Sequence, residues 1–389
     1  MIPDIPVELE DVLVVGNISE NPIAMDTGHF FGQREDVSDV ISLKSFENSE
    51  FCPRYITLDD KAFIGENLKN KGVIIASSSS LNHTRNEIAM RNCLVARAAK
   101  DNGAKWVVLV EPDLFFSAQD RGPGENQCLP GLIRSDKDRQ KFNGQPFSAK
   151  LYAELLKASG VDEVVTVHNH SESVQHVFRE VFEGHFSNIL PNNLYARYLQ
   201  ESGIVDMDKL MLCAPDKGAL EFVLQTKEAL GHGDRKHFMM SKIRSGERSV
   251  SMDISPESPA LFDEVEGKDI IVIDDMVRTG STIVKCCNLL KDYNPNKVIF
   301  LVTHFHSSKI GRENMAASVI DEIITTNTIP SIMNRDVQGR LRSKIAVLKI
   351  SRWVAHHLRL RFKKATGELS GKWYQEDLSS KNPRSGFKY

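Results

Sequence analysis

Eight apolar runs of strand length punctuate the 389 residues: DVLVVG (11–16), KGVIIASS (71–78), KWVVLVEP (105–112), DEVVTVHNH (162–170), LMLCAPD (210–216), DIIVIDD (269–275), KVIFLVTHF (297–305) and DEIITTNT (321–328). Runs of this kind read as strands buried on both faces. Amphipathic segments lie between several of them, at 85–104, 147–160, 218–231 and 282–293. Parallel neighbours in a sheet need a crossover, and a helix that packs back on the sheet supplies it. The alternation therefore predicts an α/β protein with mainly parallel sheets and ligand sites at the carboxyl ends of the strands.

The chain is too long for one ordinary core. The runs divide into an α/β set over residues 1–165 and a second over 166–345, with 346–389 left as a helix and a polar tail, KNPRSGFKY, expected to be poorly ordered. Residues 122–144, GPGENQCLPGLIRSDKDRQKFNG, interrupt the first set with Gly, Pro and charge and read as a long surface loop or a mobile lid.

Lys and Arg number 49 against 52 Asp and Glu, so no global field draws the chain to nucleic acid or to an anionic membrane, and any anion site is local. The start, MIPDIPVELEDV, has no basic region ahead of an apolar stretch, and no run reaches membrane-spanning length. A soluble cytoplasmic protein is expected. The six Cys show no CxxC spacing, which favours reduced thiols over a disulfide framework or zinc.

The most informative stretch is IIVIDDMVRTGSTIVKC (270–286), where two adjacent acids leave an apolar strand ahead of a small-residue turn. Adjacent carboxylates repel and persist where water, a cation or hydroxyl donors share the charge. The TGST turn offers backbone N–H groups, hydroxyls and the positive end of the next helix to a phosphate. Together they suit a phosphorylated sugar, its hydroxyls on Asp274 and Asp275 and its phosphate on the loop. Taken alone, a solvated turn and a helix cap explain the stretch equally well.

IVIDDMVRTGSTI resembles the phosphoribosyl-diphosphate motif shared by type I phosphoribosyltransferases and ribose-phosphate diphosphokinases. Further segments resemble the diphosphokinases, also called phosphoribosyl pyrophosphate synthetases, over roughly residues 11–350. SFENSEF (45–51) is similar to their adenine-binding segment, with Phe46, Asn48 and Glu50 facing the base. FFSAQDRG (115–122) is similar to their ATP loop and keeps Gln119, Asp120 and Arg121. His170 falls at a magnesium-binding and catalytic His, and Asp216 at a second magnesium contact. SKIR (241–244) matches the catalytic loop and keeps Lys242 and Arg244, on a stretch rich enough in Gly and charge to act as a gate. THFH and TNTIPS match later landmarks.

The resemblance implies two tandem phosphoribosyltransferase-like (Rossmann-like) domains. It implies Mg²⁺-dependent transfer of the β,γ-diphosphoryl group of ATP to the anomeric hydroxyl of ribose 5-phosphate, with release of AMP. The ribose phosphate would lie on Asp274, Asp275, Arg278, Thr279, Gly280, Ser281 and Thr282. A homo-oligomer, dimer or hexamer, is implied, with ATP between neighbouring subunits.

Several positions depart from the pattern. Arg278 stands where bacterial members usually carry an acid, Ala118 where the ATP loop has its first Arg, and His168 where an Asp is usual; the 122–144 stretch is also longer. An added Arg suits another phosphate, which makes ADP-ribose, as in phage-type NAD+ regeneration, an alternative acceptor; for a phage-encoded chain the compartment is the host cytoplasm. A catalytically weak regulatory subunit is the other alternative.

Overall fold

The computed structural model describes residues 4–19, 21–56, 68–231, 236–244, 250–306, 308–363 and 371–377. The side chains of Lys242 and Arg244, and the tail KNPRSGFKY, lie outside the described residues. The chain forms two compact units, 1–189 with 351–373, and 190–350 with the residues from 374 onward.

The first unit is built on β2 (Val12–Gly16), β5 (Gly72–Ala76), β6 (Trp106–Val110), β7 (Glu163–Val167) and β8 (Phe186–Ile189). They lie in that order, all parallel. Every residue of β5 and of β7 is buried, the double-sided burial that makes such strands read as unbroken apolar runs. Helix Arg85–Asp101 starts where the Thr84 hydroxyl accepts the Glu87 N–H and Glu87 returns a carboxylate to the Thr84 N–H, a reciprocal cap. It buries Ile88, Val95, Ala96 and Ala99 in one core with Val107, Leu109, Phe178 and Phe186. An antiparallel hairpin, β3 (Ile41–Ser45) with β4 (Phe51–Tyr55), stands apart from this sheet, and β1 (Ile5–Glu8) pairs in parallel with β16 (Phe362–Lys363).

The boundaries differ from those expected. A break at 165 would cut through β7, and the first unit continues to 189 because β8 pairs with β7 from Val164 to Val167. Nor does the chain after 345 form a separate appendage. β15 (Ile345–Lys349) belongs to the second unit, while helix Ser351–Arg359 returns to the first. There Arg361 Nε and Nη2 donate to the two oxygens of the fully buried Glu163 carboxylate at 3.0 and 2.9 Å. A buried charge needs such a partner, so Arg361 anchors the returning segment. The stretch 122–144 is neither featureless nor open, since it carries helix Asp136–Lys141 and closes on itself around Arg134.

The second unit holds an eight-stranded sheet in the order β11 (Val250–Ile254), β10 (His237–Arg244), β9 (Leu210–Ala214), β12 (Asp269–Val277), β13 (Lys297–Phe305), β14 (Glu322–Thr326), β15 and β17 (Gln375–Glu376). All pairings are parallel except the outermost at each side. His237–Arg244, expected within a mobile loop, is a strand whose last residues, from Met240, pair with β11. From β9 the chain goes to β10 on one side, and from β12 to β13 on the other. The sheet order thus reverses between β9 and β12, and a crevice opens beyond their carboxyl ends.

Candidate functional site

Asp216 and the Asp274–Asp275 pair occupy that crevice edge. Asp216 follows β9 and caps the next turn by accepting the Gly218 N–H at 3.1 Å. Asp274 and Asp275 lie near the end of β12, whose preceding residues are all buried, and Asp275 donates its backbone N–H to Asp274 Oδ1 at 3.0 Å. Burial, then the charges of Asp275 and Asp216, hold the Asp274 carboxyl well above the ordinary carboxylate range.

Three acids whose fields oppose one another suit a cation. Among the described residues, no three His, Cys, Asp or Glu side chains converge into a ready-made cage, so a cation here would complete its shell with substrate oxygens.

Beyond the acids, Gly280 takes φ 72°, a left-handed conformation that lets the chain turn into helix Ser281–Lys291. The first N–H groups of that helix have no partner within it and face the turn, with the positive end of the helix dipole behind them. The loop is braced from beneath. Ser308 Oγ donates to the Arg278 carbonyl at 2.9 Å, Asn314 Nδ2 to the Thr279 carbonyl at 2.7 Å, and Gly311 packs against Arg278. Arg278, Thr279 and Ser281 are left exposed, and Arg278 makes no ion pair with any described residue.

In the first unit the carboxyl ends of β6 and β7 form a second constellation. His168, after β7, has φ 47°, and Phe116, after β6, has φ 61°. Bulky residues rarely adopt this conformation, and strain of that kind gathers where a loop is held for a purpose. The holding bonds are explicit. Asn169 Nδ2 donates to Ser117 Oγ at 2.7 Å, Ser171 Oγ to Asp120 Oδ2 at 3.0 Å, and Ser173 Oγ to the Asp120 carbonyl at 2.7 Å. The loop bearing Gln119, Asp120 and Arg121 is thereby fastened to the start of helix Glu172–Val181, beside the exposed His170.

Beneath that loop lies Glu111, 1% exposed. It accepts the Phe115 N–H at 2.9 Å on one oxygen, and Ser77, Asn92 and Tyr152 on the other. Burial raises its carboxyl to about 7, although the hydrogen bonds pull the other way. Sequence reasoning passed over Glu111, Ser171, Ser173, Ser308 and Asn314. Glu111 was detectable, since an acid closing the run WVVLVE is the same signal that singled out Asp274.

The third element is the hairpin tip. Phe46 is 61% exposed, which sets aside a core role. The turn is closed by Phe46 N–H to the Glu50 carbonyl at 2.8 Å and by Glu50 N–H to Asn48 Oδ1 at 3.1 Å. Phe46, Asn48 and Glu50 thus share one exposed turn. The acids and the 278–282 loop belong to the second unit, and His170, the Gln119–Arg121 loop and the hairpin to the first.

Residues 193–336, all within the second unit, match the phosphoribosyl transferase domain. The fold of that unit is of this class. Ribose-phosphate pyrophosphokinase 2 of Saccharomyces cerevisiae is 27% identical over 289 residues, 73% of this chain and 79% of its own. A ribose-phosphate pyrophosphokinase of Methanobrevibacter smithii is 26% identical over 83% of this chain and 96% of its own. The crystal structure of phosphoribosylpyrophosphate synthetase from Mycobacterium smegmatis superposes with a TM-score of 0.67 over 90% of this chain and 98% of that one; at 21% identity it shows a shared fold. Over most of its length the chain is thus similar to ribose-phosphate pyrophosphokinases, at 26–28% identity.

Proposed function

We propose that the protein transfers the β,γ-diphosphoryl group of ATP to the anomeric hydroxyl of ribose 5-phosphate, releasing AMP. The observation that carries this reading is the pairing of a phosphate loop with three strand-end acids in one crevice, in a chain whose relatives are named ribose-phosphate pyrophosphokinases.

The acceptor's 5-phosphate would lie on Thr279, Gly280, Ser281 and Thr282, where backbone N–H groups and hydroxyls meet a helix start. Asp274 and Asp275 would take the ribose hydroxyls and fix the direction of the anomeric oxygen. Phe46, with a free ring face, would stack on adenine, and Asn48 and Glu50 would read its edge; in an oligomer this turn serves a neighbouring subunit. Gln119, Asp120 and Arg121 would hold the polyphosphate, and His170 in the first unit and Lys242 and Arg244 in the second are each candidates for contact with the transferred group.

Transfers of this type rest on positioning and charge neutralisation more than on covalent intermediates. Mg²⁺ would supply the neutralising charge on the phosphate oxygens, with Asp216 of the second unit and His170 of the first each a candidate contact to it.

A second reading enlarges the acceptor. Arg278 is exposed on the phosphate loop without an ion-pair partner among the described residues, and it is suited to a second phosphate such as that of ADP-ribose. A mass-resolved assay with ATP, Mg²⁺ and each acceptor separately tests both. Diphosphate gain on ribose 5-phosphate supports the first reading, gain on ADP-ribose alone supports the second, and gain on neither refutes both and leaves a regulatory subunit.

A further inference from the structure

The stretch 122–144 is folded around one guanidinium. The Arg134 side chain is 1% exposed, and its Nη1 donates to the carbonyls of Gly122 and Gly124 at 2.7 and 2.9 Å. Its Nε donates to Asp138 Oδ2 at 2.7 Å. Asp138 sits on the short helix Asp136–Lys141, and its other oxygen, Oδ1, accepts Arg121 Nη1 at 2.9 Å. Both guanidinium groups also lie over the Phe142 ring, at 5.6 Å for Arg121 and 5.4 Å for Arg134.

Closing the loop would require only Arg134, its carbonyls and one oxygen of Asp138. The second oxygen is directed instead to Arg121, a residue of the loop fastened to Ser171 and Ser173. On its other edge, Arg121 Nε lies 3.6 Å from Asp120 Oδ1. A guanidinium has its donors in one rigid plane. Held at Nη1 and flanked at Nε, that plane is fixed, and Nη2 has no hydrogen-bond partner among the described residues. Arg134 meanwhile supplies a buried positive charge to the shared carboxylate. Its hydrogen bond is the largest cause holding Asp138 below the ordinary carboxylate range, with the charge of Arg121 adding to it. Asp138 thus stays ionised and compensated when Arg121 engages a ligand, and tilting Arg121 strands no charge.

We propose that Asp138 is a positioning residue for the nucleotide, holding Arg121 so that its free Nη2 edge meets the ATP polyphosphate. The inserted stretch is then a built-in support for the ATP loop, at the loop that lacks an Arg at position 118. This rests on the reading above that places Arg121 on ATP.

The test is a double-mutant cycle on the full chain, with Kd measured for AMP and for a non-hydrolysable ATP analogue in the wild type, D138N, R121Q and the double variant. D138N is expected to weaken the analogue about tenfold and leave AMP unchanged, and to add nothing to R121Q, because two residues that act through one contact are not additive. Asp138→Glu, which keeps the charge but moves it by one methylene, is expected to weaken the analogue less at an unchanged Tm. Additive losses, or equal losses for AMP and the analogue, would make Asp138 a fold staple and overturn the proposal. A wild-type protein that binds no analogue overturns the diphosphokinase reading itself, and R121Q with wild-type affinity overturns the placement of Arg121.

Discussion

Gly311 lies directly beneath the Arg278 carbonyl, so close that a Cβ at position 311 would meet the oxygen at 2.3 Å. The obstacle is backbone, which cannot rotate aside. Gly311→Ala is therefore expected to push the 278–282 loop outward, at about 1–3 kcal/mol for overpacking. In kinetics, KM for the ribose-phosphate acceptor should rise about tenfold or more while ATP binding is kept, because tight placement of the reacting groups is lost at one substrate only. Equal loss for both substrates would show that the variant harms the whole unit and not the loop.

Asp274 is expected to show a conflict between stability and activity. Its carboxyl is buried and opposed by Asp275 and Asp216. Asp274→Asn should relieve that repulsion and raise the melting temperature of the unliganded protein by roughly 2–4 °C per kcal/mol gained. On the proposed function, in which Asp274 takes a ribose hydroxyl, it should also cut turnover at least a hundredfold, on the order of 2.7 kcal/mol. Calorimetry beside the acceptor assay checks it; a lower melting temperature would mean that the acids are held by compensating bonds.

The strand pattern of both units was legible because double-sided burial writes each central strand as an apolar run. What escaped was at the edges. FSNI, the β8 sequence, is partly exposed along three of its four residues and carries two polar ones, so nothing marks it as the strand that extends the first unit to 189. HFMMSKIR reads as loop because its charges and glycine-rich surroundings outweigh a short apolar segment, although β9 and β11 both pair with it. The acids and the small-residue turn after them were visible in order along the chain, but the braces of the turn were not. Ser308 and Asn314 sit about thirty residues away from their partners (Ser308 to Arg278, Asn314 to Thr279), and single hydrogen bonds at that separation leave no local signature.

The returning segment offers a stability test. Glu163 is fully buried and depends on Arg361 for its bidentate partner. Arg361→Met should destabilise the first unit by about 3–5 kcal/mol, the cost of leaving one buried charge unpaired. Trp106, Trp353 and Trp373 all belong to that unit and are the only three tryptophans, so denaturation followed by tryptophan fluorescence reports it alone. The double variant Glu163→Gln/Arg361→Met should recover much of the loss, and no recovery would mean that Arg361 acts through packing instead of charge.

Glu111 sets a pH dependence whose sign follows from its burial. Its carboxyl stands at about 7 in the fold, above the ordinary value near 4.5, so the folded protein holds this proton more tightly than the unfolded chain does. Its contribution is complete below the unfolded value and is lost as pH rises toward the folded one. Between these limits the stability of the first unit should fall with pH, by up to about 1 kcal/mol per pH unit for a single group. Glu111→Gln removes the titration and should flatten the fluorescence-monitored curve across that window. The same substitution disturbs the acceptor of the Phe115 N–H, and with it the entry to the Gln119–Arg121 loop, so nucleotide affinity should weaken at every pH. A variant with flattened stability and wild-type nucleotide affinity would show that Glu111 supports the core without setting the loop, and an unchanged pH slope would mean that its four donors hold the carboxylate ionised.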